Sequence, residues 1–357
     1  MIASDRNHPE FKALLDLSVS AGSDPALVQA AGGNTSIKLG KTLWIKASGT
    51  WLMNALSDDI MVPVSLEPLL QALNSNDPAA ERAQEFVIAE HNPKGLRPSI
   101  ETTVHAALPQ RVVVHVHCIN TIAIAVHANA QQMLAPLLAD FNWRYVPYVK
   151  PGLSLSRSIV ESLSDSSCGG GSGAPDVIIL GNHGLVVAAE TVANAEQLLV
   201  RVSRALQQPA RNAPAADLNA LQHLAAESDY CLPSQVEAHG VASDEASLSI
   251  ARGGSLYPDH VIFLGEGSVI ALQGESPDDV TNRERANGKP PPVSIVFPGL
   301  GVLLRKDSGN GVEELARCLS DVCCRIPAGA DLNYLSPAQN HELLNWDAEK
   351  YRQSLNH

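Results

Sequence analysis

No run of apolar residues approaches the ~18–20 needed to cross a bilayer; the longest candidates, residues 121–126 and 177–180, read as core strand or helix, so no membrane partner is expected. The opening MIASDRNHPEFK carries polar and acidic residues where a secretion signal needs an apolar stretch, which predicts a cytoplasmic protein. Cysteine is scarce. Six are spread over 357 residues with no C-x-x-C pair, and Cys323 and Cys324 are adjacent, a poor disulfide framework that predicts reduced thiols. Positive charge is also short: 25 Lys and Arg stand against 38 Asp and Glu, a formal charge of −13. Such a field repels a polyanion, so no nucleic-acid partner is expected.

What is present suits a folded globular chain, with 45% apolar and 18% charged residues and a length that fits one large domain or two moderate ones. Residues 74–82, 164–175 and 207–216 are rich in small or polar side chains. Only the last, QQPARNAPAA, reads as a linker, giving an expected division into 1–206, a linker 207–216, and 217–357. Before it, short β-branched runs (42–45, 112–116, 177–180, 185–187) alternate with helical patterns (10–21, 101–108, 156–163, 192–206), the signature of an α/β layered domain. Residues 169–173 read as a loop. Beyond the linker, 261–264, 268–271 and 293–297 read as strands, 312–324 as a helix and 337–354 as a polar C-terminal helix, together a smaller α/β region.

The most informative segment is Arg111-Val-Val-Val-His115-Val-His117. In an extended chain His115 and His117 leave the same face, roughly 6.6–6.8 Å apart along the strand, and can turn toward one ion. A pair of half-buried strand histidines is the plainer reading of H-x-H alone. Downstream, an apolar strand breaks at Gly181-Asn182-His183-Gly184 and resumes, which puts His183 at a strand end where glycines permit close approach to a bound group. Three imidazoles leave an open coordination position, the pattern of a catalytic metal. Upstream, Pro98-Ser99-Ile100-Glu101 opens a helix, with Ser99 placed to cap it and Glu101 in its first turn. Glu101 becomes a candidate proton shuttle or fourth ligand; His105, one turn on, reads as packing or support.

Gly32-Gly33-Asn34-Thr35-Ser36, with Lys38, Lys41, Lys46 and then Ser48-Gly49-Thr50, has the composition of an anion cradle: glycine turns expose N–H groups and hydroxyls add donors. It fits neither the P-loop nor the dinucleotide fingerprint. A hairpin turn with solvated lysines is the alternative.

In this order and spacing, G-G-N-T-S, S-G, P-S-I-E-T, H-V-H and G-N-H-G resemble the zinc-dependent class II aldolase/adducin family over residues 10–206. Within it the likeness is to the aldolase part of bifunctional rhamnulose-1-phosphate aldolase/dehydrogenase proteins, carried by VPYVKPG at 146–152, PDHVI at 258–262, FPGLG at 297–301 and NWDAEKY at 345–351. No counterpart of the dehydrogenase part is expected here. The resemblance implies a three-layer α/β/α domain with a central, largely antiparallel sheet. It implies that His115, His117 and His183 hold Zn²⁺ or another divalent ion, and that Glu101 ligates the resting metal and shuttles a proton. By the same likeness Asn34, the Ser48–Gly49 pair and Ser99 hold substrate phosphate. Sugar-phosphate aldolases of the family carry serine where Ile100 stands, so one phosphate donor is missing.

The implied function is that of an aldehyde-lyase cleaving a ketose, first of all a ketose 1-phosphate. Cleavage through a metal-stabilised enediolate gives a dihydroxyacetone (phosphate) fragment and an aldehyde. The implied assembly is a homotetramer with the site completed across a subunit boundary. A sugar-phosphate 4-epimerase, an oxo-acid-phosphate decarboxylase and a non-catalytic adducin-like module are the alternatives. The epimerase branch carries aspartate at the Glu101 position, and the intact histidines argue against the module. A tyrosine from a neighbouring subunit serves some members as second acid or base. Tyr145, Tyr148 and Tyr351 are candidates for it, and the C-terminal stretch with His260, Tyr334 and His341 is the segment expected to reach a neighbour.

Overall fold

The computed structural model describes residues 5–163, 169–171 and 173–355. Their contacts fall into two units: residues up to Thr121 with Asn129–Gln207, and Ile122–Ala128 with the residues from Gln208 onward. Nothing in composition marks the transfer of Ile122–Ala128 to the second unit.

The first unit begins with α1 (Pro9–Gly22), β1 (Asn34–Leu39), β2 (Thr42–Lys46), β3 (Met61–Ser65) and α2 (Leu66–Asn74). The chain continues through α3 (Thr102–Ala107), β4 (Val112–Val116), α4 (Ile119–Ala125), whose residues from Ile122 onward belong to the second unit, α5 (Ala130–Leu137) and β5 (Trp143–Val146). It ends with α6 (Leu153–Leu163), β6 (Gly169–Gly170), β7 (Val177–Leu180), β8 (Gly184–Ala189) and α7 (Val192–Ala205). The strands form one sheet in the order β3-β2-β1-β4-β8-β7-β5-β6, antiparallel at every step except β5–β7.

Alternation along the strands builds the layers. Leu43, Ile45, Val62 and Val64 meet Leu69 of α2 and Ala106 of α3, while Val113, Ile178 and Val186 meet Val104, Leu155 and Ile159 of α3 and α6. Trp44 turns to the other face and packs edge-on against Phe11 of α1, ring centroids 5.1 Å apart; α7 packs against α1, β4 and β8. The three-layer, largely antiparallel architecture is therefore the one observed.

Gly169 and Gly170 correct the expected loop. They pair with Arg144 and Trp143 as edge strand β6, and a Cβ at Gly169 would stand 2.0 Å from the Trp143 carbonyl. Without side chains they lie close enough to bond where larger residues would not. Residues 164–168 and 172, including Cys168, lie outside the described residues.

The second unit continues with α8 (Leu218–Ala225), β9 (Tyr230–Cys231), α9 (Gly240–Ser243), α10 (Glu245–Arg252) and β10 (Val269–Ile270). After these come α11 (Pro277–Ala286), β11 (Ser294–Phe297), β12 (Gly301–Arg305), α12 (Val312–Cys323), α13 (Pro337–Leu344) and α14 (Asp347–Ser354). Its sheet has the order β10-β11-β12-β9, closed over Leu221, Tyr230, Val280, Ile295, Phe297 and Leu303. Two readings need correction here. The apolar run 261–264 is not a strand but part of a buried π-helical turn, His260–Leu264; a fully buried run of four has no alternation to separate strand from helix. The C-terminal helix is two helices, α13 and α14, parted at Asn345–Trp346.

The expected linker is tied down. Arg211 donates to Asp244 Oδ2 (3.0 and 2.8 Å), Ser247 Oγ (2.9 Å) and the carbonyls of Cys323 (2.8 Å) and Ile326. Among the described residues no helix is long and apolar enough to cross a membrane, and Cys118, Cys231, Cys318, Cys323 and Cys324 are free thiols.

His260 predicts how the second unit responds to acid. Its Nδ1 accepts from the Leu256 N–H (3.3 Å) and its Nε2 donates to the Gly267 carbonyl (3.0 Å). Burial pushes its pKa down to about 4, against the Gly267 carbonyl, which raises it. The folded imidazole binds its proton less readily than the unfolded one, so its contribution is complete above pH ~6.5 and is lost as pH falls toward 4. The loss expected is about 3 kcal/mol. Denaturant midpoints at pH 7 and 4 measure it, and His260→Gln should flatten the difference.

Candidate metal centre

β1 and β4 lie side by side with Asn34 opposite His115, so both side chains leave the same sheet face. His117, two residues on, shares that face. β8 flanks β4 on its other side, with Leu185 opposite Val116, and the turn before it delivers His183. That turn is tight: Asn182 has φ 53°, and a Cβ on Gly184 would stand 2.5 Å from the Val116 carbonyl. The glycines thus permit chain-to-chain approach, with Gly181 packed similarly against the Tyr145 hydroxyl. Glu101 comes from above the sheet, at the residue before α3.

The four side chains are buried, with exposures of 1% for His115, 7% for His117, 5% for His183 and 5% for Glu101. One ring nitrogen from each imidazole lies within 4.8 Å of the other two. His115 Nε2 is 3.2 Å from His117 Nε2; Glu101 Oε2 is 3.4 Å from His115 Nε2, and Oε1 is 3.7 Å from His183 Nε2. His115 Nδ1 donates to the Leu185 carbonyl (3.1 Å), which leaves Nε2 as the lone-pair nitrogen facing the cluster. Burial raises the Glu101 carboxyl, but His115, His183, the Asn34 amide and His117 outweigh it and hold the group down at about 2. It is an anion. Its Oε1 is nonetheless buried without a hydrogen bond. A buried anionic oxygen turned toward three imidazoles is poorly satisfied by protein alone and fits a cation among them. Three nitrogens and one oxygen suit Zn²⁺ or a similar divalent ion.

Asn34 approaches Glu101 from the sheet. Its Nδ2 donates to Glu101 Oε2 (2.8 Å) and to Ser99 Oγ (3.1 Å), an orientation forced because a carboxylate only accepts. Ser99 is not the N-cap: that position falls on Glu101, whose side chain makes no cap because it turns to the imidazoles. Ser99 supports the helix entry instead, accepting the Glu101 N–H on Oγ (3.3 Å) and the Thr102 hydroxyl on its carbonyl (2.5 Å). The Ser48 N–H donates to the Arg97 carbonyl (2.9 Å) and the Ser99 N–H to the Lys46 carbonyl (3.0 Å), which joins the Ser48–Gly49 turn to the Ser99 segment. Gly49 has φ 77°, a conformation open to glycine.

The three lysines do not gather as the local positive charge of the anion cradle. Buried Lys46 lies beneath the glycine loop and donates to the Ala31 and Gly33 carbonyls (3.0 Å each). Lys38 donates to the Leu108 and Gln110 carbonyls, and burial lowers its pKa to about 8 against the raising effect of Glu190. Lys41 pairs with Glu67 at the surface. Of the C-terminal residues, His260 and Tyr334 bond within the second unit, the latter donating to the Ile250 carbonyl (2.9 Å), and His341 contacts Asn345. Sequence reasoning gave too little to Ser36 and His105: both are fully buried, with Ser36 Oγ 2.7 Å from His105 Nδ1. The spacings Asn34/Ser36 and Glu101/His105 carried that signal.

Residues 16–209 match the family model for the class II aldolase and adducin N-terminal domain. The chain belongs to the class II aldolase and adducin family. A relative from Bacillus subtilis (strain 168), the uncharacterized oxidoreductase YuxG, is 29% identical over 199 residues. The match takes in 52% of this chain and 27% of that protein, so the chain spans about a quarter of its relative's length. Among solved structures, the N-terminal class II aldolase domain of a conserved protein from Thermoplasma acidophilum matches with a TM-score of 0.45 at 24% identity, covering 54% of this chain and 90% of that one. L-fuculose-1-phosphate aldolase from Thermus thermophilus matches with a TM-score of 0.38 at 17% identity, covering 55% and 90%.

Proposed function

We propose that this protein is a divalent-metal aldehyde-lyase that cleaves a ketose, first of all a ketose 1-phosphate, into a dihydroxyacetone-type fragment and an aldehyde. The observation that carries the reading is the convergence of His115, His117 and His183 on a buried, ionised Glu101 with one unsatisfied oxygen. The three imidazoles would hold the ion, Zn²⁺ by preference, with Glu101 as the carboxylate beside it. When bound, the ion supplies a Lewis acid for negative charge developing on the ketose oxygens as the carbon–carbon bond breaks. Glu101 then delivers or removes the proton at the ketone-side carbon. Asn34 keeps that carboxylate aligned, and its Nδ2 is free for a substrate oxygen only when Glu101 withdraws. An epimerase or decarboxylase of the same family is the competing activity. Metal analysis of the purified chain, followed by a panel of ketose phosphates, free ketoses and oxo-acids, tests the reading: aldehyde release supports it, whereas CO₂ release or inversion without cleavage replaces it.

Of the residues expected to hold phosphate, Asn34 has its Nδ2 committed to Glu101 and Ser99, so the proposal rests on the Ser48–Gly49 turn and on Ser99, whose Oγ already accepts two N–H groups and so has its own proton to donate. A hydrogen bond to a charged group is worth ~1.5–3 kcal/mol, so Ser48→Ala should raise KM for a phosphorylated ketose roughly 10- to 150-fold. The unphosphorylated analogue should change far less; equal changes mean that the turn is only structural. The second acid or base, needed on the aldehyde side, is proposed to come from a neighbouring subunit of a homotetramer, Tyr145, Tyr148 and Tyr351 remaining the candidates. A mass in solution of one chain, with full activity, removes that part of the reading.

A further inference from the structure

We infer that Ser36 and His105 form a positioning clamp that sets where the Glu101 carboxylate stands against the three imidazoles. Its geometry is independent of the metal reading above, while its consequence for metal binding rests on it. Asn34 and Ser36 are two apart on β1 and share a face, about 6.8 Å apart along the strand. Glu101 and His105 are four apart at the start of α3, a rise of about 6 Å. The two repeats match. Two parallel ties result, Asn34 Nδ2 to Glu101 Oε2 at 2.8 Å and Ser36 Oγ to His105 Nδ1 at 2.7 Å.

The first tie alone leaves the carboxylate free to move with its helix; the second holds the helix to the strand. α3 has six residues, too few to be stable alone, so its register depends on such contacts. The strand it is held to is the neighbour of the ligand strand, with Asn34 opposite His115, so the clamp relates the carboxylate to the metal ligands. His105 is an uneconomical choice for filling space. It is fully buried and its Nε2 has no hydrogen bond, a penalty that an apolar side chain avoids. What an imidazole supplies there, and leucine or phenylalanine does not, is the bond to Ser36. Burial keeps it neutral, with its pKa lowered to about 3.

The test uses the full chain with Ser36→Ala, His105→Phe and His105→Asn, and two readouts. One is the Asn34 side-chain amide signal in metal-free protein, calibrated with Glu101→Ala, which has no acceptor for it; the other is the affinity and visible spectrum of added Co²⁺. Ser36→Ala and His105→Phe should move the Asn34 signal toward its Glu101→Ala position and raise the Co²⁺ Kd by roughly 10- to 100-fold, the usual effect of losing a residue that orients a ligand. His105→Asn, whose amide can still reach Ser36, should stay close to the parent. If His105→Phe does not fold, Ser36→Ala carries the test. An unchanged Asn34 signal and Kd in Ser36→Ala overturns the clamp, as does a loss in His105→Asn as large as in His105→Phe. A displaced Asn34 signal in a protein that takes up no Co²⁺ keeps the clamp and removes the metal reading, so the two fail separately.

Discussion

Replacing His115, His117 or His183 by alanine is expected to remove most of the divalent ion proposed for this site. Each imidazole is buried and turned to the same point, so a variant keeps two nitrogens and a carboxylate where the parent has three and a carboxylate. Loss of one preorganised ligand should weaken Zn²⁺ by roughly 10³-fold, about 4 kcal/mol, because no other described histidine or cysteine joins the cluster. Metal content after dialysis against a weak chelator measures this. Stability gives a second readout. An ion that binds only the folded chain stabilises it by about 2.7 kcal/mol at a hundred times its Kd, so EDTA should lower the parent's Tm and leave the three variants almost unmoved. Full zinc retention in all three would refute the site.

Glu101→Gln should leave the fold intact and sharply slow the proton transfer proposed for Glu101. The amide has nearly the carboxylate's shape, and its carbonyl can still accept from Asn34 Nδ2, now at 2.8 Å from Oε2. The buried charge disappears with it. What an amide cannot do is take a proton, and a positioned general base is worth roughly 10²- to 10⁴-fold. Exchange of the ketone-side proton into D₂O, followed by NMR on the dihydroxyacetone-type fragment, should fall by that factor while the three imidazoles keep most of the metal. Near-parental exchange would assign the proton to another group.

Much of the site was legible because its signals are local. H-x-H on a β-branched run places two imidazoles on one face through the strand period of two, and the structure has His115 and His117 on β4 and just beyond it. The Gly-Asn-His-Gly break reads as a turn between two strands, which is where His183 stands. The 261–264 run failed because a segment buried on every side has no period, and the glycine run at 169–170 failed because its strand character comes from Trp143 and Arg144. The lysines failed for a related reason: composition counts their charge, whereas the fold decides which carbonyls they meet.

The sequence by itself determined the residue types, their spacing and so the faces of strand and helix they occupy. It also determined the family, since five ordered motifs survive any uncertainty in element boundaries. Only the tertiary structure decided the pairings between distant segments. β1 beside β4 sets Asn34 against His115, and α3 over β1 brings Asn34 to Glu101 and Ser36 to His105, across 67 and 69 residues of chain. Periodicity reports how each segment is coiled or pleated. Which segments meet is determined by burial of the whole apolar surface at once, and no local pattern encodes that.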